Sequence, residues 1–211
     1  MTPTCRLLPV ALALVGSGCI AFPLAIPPAQ VQIGGGGRYL KSDTVNGYDA
    51  QAQLRAAVHP LGLFPSLLER RGDVAAGYLL DLGQRAVVQG AFLDGGYVIL
   101  SLPSDEDDLL RLSVRAQARL LHSDLQKAWG PGAAAQLELE FVHFTDGNFE
   151  TSSGDGGAMG YAYGESGFGL YVEGAYLKTG PMQGWAISGG LTVRMPAAAG
   201  MGYVWAWALL K

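Results

Sequence analysis

Residues 110–120 read LRLSVRAQARL and alternate between apolar and polar side chains at every position. In an extended chain, Arg111, Arg115 and Arg119 lie on one face, and the leucine, valine and alanine side chains lie on the other. A helix is the alternative, because Leu, Arg, Ala and Gln are good helix formers. A period of two fits every position, however, so the segment is predicted to be a β-strand.

The same alternation recurs along most of the chain. In Tyr48–His59 the apolar set, from Tyr48 to Val58, opposes a polar set that includes Asp49 and Arg55. No alternation of strands and helices typical of a parallel sheet is present. The sequence therefore predicts an all-β fold, an antiparallel up-and-down barrel of about eight strands, with a sandwich as the alternative. The predicted strands are Val31–Leu40, Tyr48–His59, Asp73–Leu82, Ala86–Leu102, Leu110–Leu120, Ala133–Phe144, Met159–Lys178, Trp185–Met195 and Met201–Leu210.

Turns and loops are predicted where the alternation stops. Asn46-Gly47 is a strong signal for a turn in a hairpin. The run Gly34–Gly37 predicts a strand that is weak or bent at its middle. His122–Gly132, which contains Pro131, and the polar segment Thr145–Gly157 are predicted to be loops.

The composition limits the classes of function. Charged residues make up only 15% of the 211 residues and apolar types 49%, which is not the composition of a disordered chain. The 31 glycines do not favour a helical protein. The net charge of −4 argues against a nucleic-acid partner, because binding phosphates requires a basic surface.

The N-terminus has the features of a secretory signal. Arg6 precedes an apolar run from Leu7 to Val15, which is too short to span a bilayer, and small residues follow at Gly16–Gly18. A buried N-terminal strand is the alternative. The predicted organisation is a signal peptide at 1–18, a Pro-rich tether at 19–30 and a β-barrel domain at 31–211. The alternative for the tether is a strap lying along the domain.

The segment Val15-Gly16-Ser17-Gly18-Cys19 resembles the lipobox of bacterial lipoproteins. It departs from that pattern at Gly16, where Leu is usual, so cleavage by an ordinary signal peptidase near Ala21 is the alternative. The resemblance implies that Cys19 is acylated and binds membrane lipid. Because Ile20 is not Asp, it also implies the outer membrane.

The alternation permits two arrangements of the barrel. In a soluble barrel the apolar faces form the core, whereas in a membrane barrel they contact lipid and the polar faces line the interior. The second arrangement predicts a charge network of Arg111, Arg115 and Arg119 with two glutamates on the next strand, and further interior charges on the later strands. These predicted interior charges are Arg111, Arg115, Arg119, Glu138, Glu140, Glu173 and Arg194.

Gly167–Pro196, a hairpin rich in Gly and Tyr, resembles outer-membrane β-barrel proteins. An aromatic girdle is expected from Trp185, Tyr203, Trp205 and Trp207. The resemblance implies a non-enzymatic envelope lipoprotein with a structural or pore-like role. The alternative is a lipid-tethered soluble periplasmic barrel that binds an apolar ligand or a partner protein. Two observations oppose the membrane barrel: a lipidated N-terminus is uncommon on such barrels, and the ending Leu209-Leu210-Lys211 lacks the aromatic residue usual at their end. The Ala-rich strand faces are weak for either lipid or core.

No catalytic constellation stands out in the sequence. His59, His122 and His143 are scattered and lack the spacing of metal ligands. The acidic run at 104–108 matches no known cation-binding loop, and a solvated turn is the preferred interpretation. The sequence therefore predicts neither catalysis nor a bound metal or cofactor. The expected partners are membrane lipid through Cys19 and an envelope protein.

Overall fold

A computed structural model of the chain describes residues 19–63, 71–103, 108–153 and 156–205. The predicted signal peptide at 1–18, most of the acidic turn, and Trp207 lie outside the described residues. The described chain is almost entirely extended. Its strands are β1 (Cys19–Ile26), β2 (Ala29–Lys41), β3 (Asn46–Val58), β4 (Gly72–Gly83), β5 (Val87–Pro103), β6 (Asp108–Ser123), β7 (Ala128–Ser153), β8 (Gly156–Thr179), β9 (Met182–Met195) and β10 (Ala197–Trp205).

The larger of two compact units contains Pro27–Thr145 and Gly164–Ala197. Within it, β2 to β9 neighbour one another in sequence order, and β9 also pairs with β2. That last pairing is antiparallel and runs from Ala29↔Met195 to Lys41↔Gln183, so the sheet closes on itself. The predicted antiparallel up-and-down barrel of about eight strands is confirmed.

The smaller unit contains Cys19–Ile26, Asp146–Tyr163 and the described part of the chain from Ala198 onward. Here β1 and β10 pair in antiparallel register, from Cys19↔Trp205 to Ile26↔Ala198. Part of the segment for which the sequence predicts a tether is therefore a paired strand. Within the segment Asp146–Tyr163 of this unit, the side chain of Tyr161 donates a hydrogen bond to Asp146.

Two predicted loops are mostly strand in the structure. In place of the loop at His122–Gly132, β6 continues to Ser123 and β7 begins at Ala128. The rings of His122 and Trp129 lie opposite each other with centroids 5.1 Å apart, and such cross-strand pairs stabilise a sheet. In place of the loop at Thr145–Gly157, β7 runs on to Ser153. Its polar side chains find partners on β8, as between the hydroxyls of Thr145 and Ser166, 3.0 Å apart.

The glycine run in β2 does not interrupt the strand, which pairs continuously with β3 and β9. A Cβ atom on Gly36 would collide with the backbone carbonyl of Ile187 on β9, whereas one on Gly37 would meet open space. Gly36 therefore permits a close approach of two strands, and this explains why a side chain is absent there.

The polar faces of the barrel strands point inward. On β6 the three arginines are at most 7% exposed, whereas Val114 and Leu120 are 41% and 55% exposed. In the strands of the larger unit, described Arg, Asp and Glu side chains are buried or half-buried, and the exposed charges are Lys41 and Lys178 near the strand ends. Of the two arrangements left open by the sequence, the structure has the one with a polar interior.

One end of the barrel carries only short turns, between β2 and β3, β4 and β5, β6 and β7, and β8 and β9. We call it the short-turn end. Inward-facing apolar side chains fill the interior near it: Leu40, Leu79, Ala86, Val88, Leu121, Leu177 and Met182. These residues are at most 5% exposed, so they form an apolar plug.

Candidate functional site

Charged side chains hold the middle of the barrel interior together. Glu173 on β8 accepts a hydrogen bond of 2.6 Å from Arg119 on β6 and pairs with Arg55 on β3. Arg55 also donates to Gln136 at 3.0 Å and lies over the ring of Tyr171. These contacts join strands that are not neighbours in the sheet, so the side chains bridge the interior from wall to wall.

A second group centres on Arg115. Its Nε donates to Asp94 at 2.8 Å, and its Nη2 lies 3.1 Å from Asp73. Gln117 donates to the other oxygen of Asp94 at 2.8 Å. Hydrogen bonding to both of its oxygens satisfies the buried Asp94 carboxylate, as a buried charge requires.

A third group surrounds Glu140. Arg111 donates to it at 2.9 Å and Arg194 at 3.2 Å. Arg111 also donates to Glu165 on β8 at 2.7 Å. Glu140 is fully buried, and two guanidinium groups balance its charge.

The structure places all seven of the predicted interior charges among the buried residues. Arg111 and Glu140 are directly opposite each other in the β6–β7 register, and they form the pair expected from adjacent strands. Arg115 is more distant from Glu138, at 3.8 Å. Arg119 faces Gly132 on β7 and pairs with Glu173 instead.

Sequence reasoning missed several members of this network, notably Arg55, Asp73, Asp94 and Glu165. Arg55 and Asp73 lie on polar faces of predicted strands, so their alternation was a usable signal. Asp94 precedes Gly95-Gly96, and these two residues without side chains obscure the alternation. Glu165 lies among glycines and tyrosines without a clear period.

His59 is the first residue after β3, and its ring is buried. Its Nδ1 donates to Asp73 at 2.7 Å, and its backbone N–H donates to the carbonyl of Pro28. Burial lowers the pKa of His59 below its usual value, and the positive charges of Arg194 and Arg115 lower it further, against the opposing effect of Asp73. His59 is therefore held neutral near pH 7.

A cavity of about 60 Å³ lies at the end of the barrel opposite the short turns. Its lining includes His59, Asp73, Arg111, Ser113 and Arg194. This volume has room for a few water molecules or one small ion. The lining also includes Pro28, Leu61, Tyr97 and Val98, so it is the small volume, rather than the polarity of the lining, that argues against a large apolar ligand there.

The outer surface of the barrel is apolar between its ends. On β9 the outward side chains include Ile187, Leu191 and Val193, each about half exposed or more. The ten residue steps from Trp185 to Met195, at about 3.3 Å per residue and a tilt of about 40°, correspond to a band about 25 Å tall.

Aromatic residues border this band at the short-turn end. The rings of Tyr39, Tyr48 and Trp185 form a cluster with centroids 5.2 to 6.4 Å apart. Trp129 and Tyr176 are exposed close to the same end. Of the predicted girdle, Trp185 takes part, while the side chains of Tyr203 and Trp205 lie outside the described ones.

No group of three or more His, Cys, Asp and Glu residues in the described ranges is arranged to hold a metal ion. No helix in the described part of the chain is long and apolar enough to cross a membrane.

Among known proteins, only distant structural similarities to this chain were found. No family model matches the sequence, and no curated protein matches it. Among solved structures, Neisserial surface protein A is similar over 78% of this chain and 96% of its own, with a TM-score of 0.35 and 10% identity. Ail, the attachment invasion locus protein of Yersinia pestis, is similar over 80% of this chain and 99% of its own, with a TM-score of 0.31 and 9% identity. Likeness at this level assigns no function.

Proposed function

We propose that this chain is an integral β-barrel of a bacterial outer membrane with a structural, non-enzymatic role. The observation that carries the proposal is the inverted distribution of polarity. Glu138, Glu140 and Glu173 are at most 1% exposed, whereas Ile33, Leu93 and Leu191 are more than 60% exposed. In water this arrangement exposes apolar side chains and buries charge, and both are unfavourable. In a bilayer the outward side chains contact lipid.

The dimensions of the outer surface support the same proposal. An apolar band of about 25 Å, bordered by aromatic side chains, matches the hydrocarbon thickness that outer-membrane barrels span. The exposed lysines Lys41 and Lys178 lie at the short-turn end, outside the apolar part of their strands. Among the described residues of the larger unit, charge is therefore excluded from the surface that faces the lipid tails.

We propose a closed barrel rather than an open pore. Eight strands enclose an interior just wide enough for side chains to fill it. Here the ion pairs of Glu173 and Glu140 join strands that are not neighbours, and the apolar plug fills the short-turn end. Both features oppose the passage of ions or solutes. The structural role is thus favoured over the pore-like one.

Lipid on Cys19 is proposed as a second anchor, on the basis of the lipobox resemblance. One acyl chain holds a protein to a membrane only marginally, whereas several chains or a spanning barrel hold it firmly. Replacing Cys19 with Ala and following the incorporation of radiolabelled palmitate tests this point directly. Unchanged labelling removes the lipoprotein proposal and leaves the barrel proposal intact.

The experiment that tests the barrel proposal uses the full chain with Cys19→Ala, exported by an ordinary signal peptide. A spanning barrel stays in the outer-membrane fraction after carbonate and urea washing, although it carries no lipid. Its migration on a denaturing gel also changes on heating. Release into the soluble fraction would support the lipid-tethered soluble barrel instead.

The closed state of the barrel is tested in planar bilayers. The purified full chain is expected to produce no steady conductance, with a known porin inserted under the same conditions as the positive control. Regular single-channel steps from the protein would favour the pore-like role.

A further inference from the structure

We propose that the cavity opposite the short turns binds a small oxyanion, such as a phosphate group. This goes beyond the structural role proposed above, since a barrel serving only as an anchor has no need of a ligand. The lining contains four guanidinium groups, from Arg71, Arg111, Arg115 and Arg194, and two carboxylates, from Asp73 and Glu165. Carboxylates behind the lining balance three of these guanidinium groups, because Glu140 pairs with Arg111 and Arg194, and Asp94 pairs with Arg115.

Buried polar atoms that lack a hydrogen-bond partner give the second argument for a ligand in the cavity. Three side chains of the lining have a buried polar atom without a hydrogen-bond partner: Arg111 at Nε, Ser113 at Oγ and His59 at Nε2. Each of the three residues is at most 7% exposed. A buried polar atom without a partner costs about 1–3 kcal/mol, so such atoms normally have one. Two of these atoms, on Arg111 and Ser113, can donate to a bound acceptor, whereas the Nε2 of neutral His59 can only accept, because its Nδ1 carries the proton.

The chemistry of these atoms indicates what the ligand is. The Nε of Arg111 only donates, and the hydroxyl of Ser113 donates or accepts. The other guanidinium nitrogens of Arg111 already bind Glu140 and Glu165, which fixes the direction of its Nε. An oxyanion accepts from both residues, and charge-assisted hydrogen bonds of this kind are the strong ones.

The size of the site limits the ligand. A cavity of about 60 Å³ admits a phosphate-sized group but not a nucleotide or a sugar. Arg71 is exposed at the edge of the lining, so the cavity opens to solvent on that side. The phosphate comes either free from solution or as the headgroup of a lipid.

Ser113→Ala is the variant that tests the proposal. It removes one unpartnered hydroxyl without breaking any hydrogen bond within the protein. Ser123→Ala is its matched control, because Ser123 lies on the same strand, is fully buried and also has an unpartnered hydroxyl, but does not line the cavity.

The measurement is isothermal titration of the folded full chain in zwitterionic detergent with inorganic phosphate, at constant ionic strength maintained with chloride. We expect saturable binding by the wild type, weakened about tenfold by Ser113→Ala and unchanged by Ser123→Ala. Arg111→Lys, which keeps the charge but removes the Nε donor, is the second variant and is expected to weaken binding by at least as much.

A second arm separates the two sources of phosphate. Short-chain phosphatidic acid is titrated against short-chain phosphatidylcholine, whose phosphate is blocked by choline. Binding of phosphatidic acid but not inorganic phosphate supports the site with a lipid headgroup as its ligand. The proposal is overturned if neither probe saturates, or if Ser113→Ala and Arg111→Lys bind as the wild type does.

Discussion

Arg119 on β6 donates a hydrogen bond of 2.6 Å to Glu173 on β8, passing over the strand that lies between them. Arg55 on β3 pairs with the same carboxylate from the opposite wall. One glutamate thus ties three strands together at the centre of the barrel, and two guanidinium groups depend on it for charge balance.

Glu173→Gln is therefore expected to destabilise the barrel strongly. The amide keeps the shape of the side chain but leaves Arg119 and Arg55 without their counter-charge. Removing one partner of a buried ion pair costs about 3–5 kcal/mol. The free energy of unfolding is measured by urea titration in lipid vesicles. Glu150→Gln, at an exposed position, is the control and should leave it unchanged. Equal stability of the two variants would show that the central pair is dispensable.

Leu191→Arg tests the lipid-facing surface. Leu191 is 61% exposed and lies near the middle of the apolar band. An arginine close to the bilayer midplane costs about 2–4 kcal/mol, whereas near the interface the cost falls to about 0–1 kcal/mol. Gln183→Arg, at the end of the same strand, is the matched control. The unfolding midpoint in vesicles should fall for the first variant only. A barrel that is soluble in water would tolerate both substitutions equally.

The sequence was sufficient to predict the strands but not to predict which side chains line the interior of the barrel. Alternation in Leu110–Leu120 predicted β6 correctly, because side chains on a strand point to opposite faces whatever the surroundings. It did not decide which face is inward, because two of the six apolar side chains are alanine and Ala is a weak signal for lipid or core. That decision depends on the closure of the whole sheet, and closure depends on the pairing of β2 with β9.

The partners of the interior charges were predictable only between adjacent strands. The pairing of Arg111 with Glu140 follows from the register of the β6–β7 hairpin, in which the two residues are directly opposite each other. Arg119 and Glu173 meet because the barrel curves until β6 and β8 face each other across it. No spacing in the sequence encodes that curvature. The long polar end of β7 was likewise missed, because its hydrogen bonds come from pairing with β8 rather than from its own composition.

Gly36→Ala is expected to destabilise the pairing of β2 with β9. A Cβ atom there would collide with the carbonyl of Ile187, so the two backbones must separate. Overpacking of this kind costs about 1–3 kcal/mol. Gly37→Ala is an adjacent control that meets open space and should be neutral or slightly stabilising, because it restricts the unfolded chain. Thermal unfolding of the two variants measures the difference. A similar loss in both would mean that flexibility, and not close approach, explains the glycine run.

His59 is expected to make stability depend on pH. Burial holds its pKa in the folded state below the unfolded value of about 6.5. Between these two values the unfolded chain binds the extra proton, so the free energy of unfolding rises with pH. The contribution is fully present above about pH 6.5 and is lost as the pH falls toward the lowered pKa.

The measurement compares urea unfolding of the wild type and His59→Gln from pH 5 to pH 8. Because glutamine does not titrate, the stability advantage of the wild type should shrink as the pH falls. The difference between the two proteins isolates His59, because every other titratable group is common to both. An advantage that grows toward low pH would mean that protonated His59 is stabilised by Asp73 more strongly than burial opposes it.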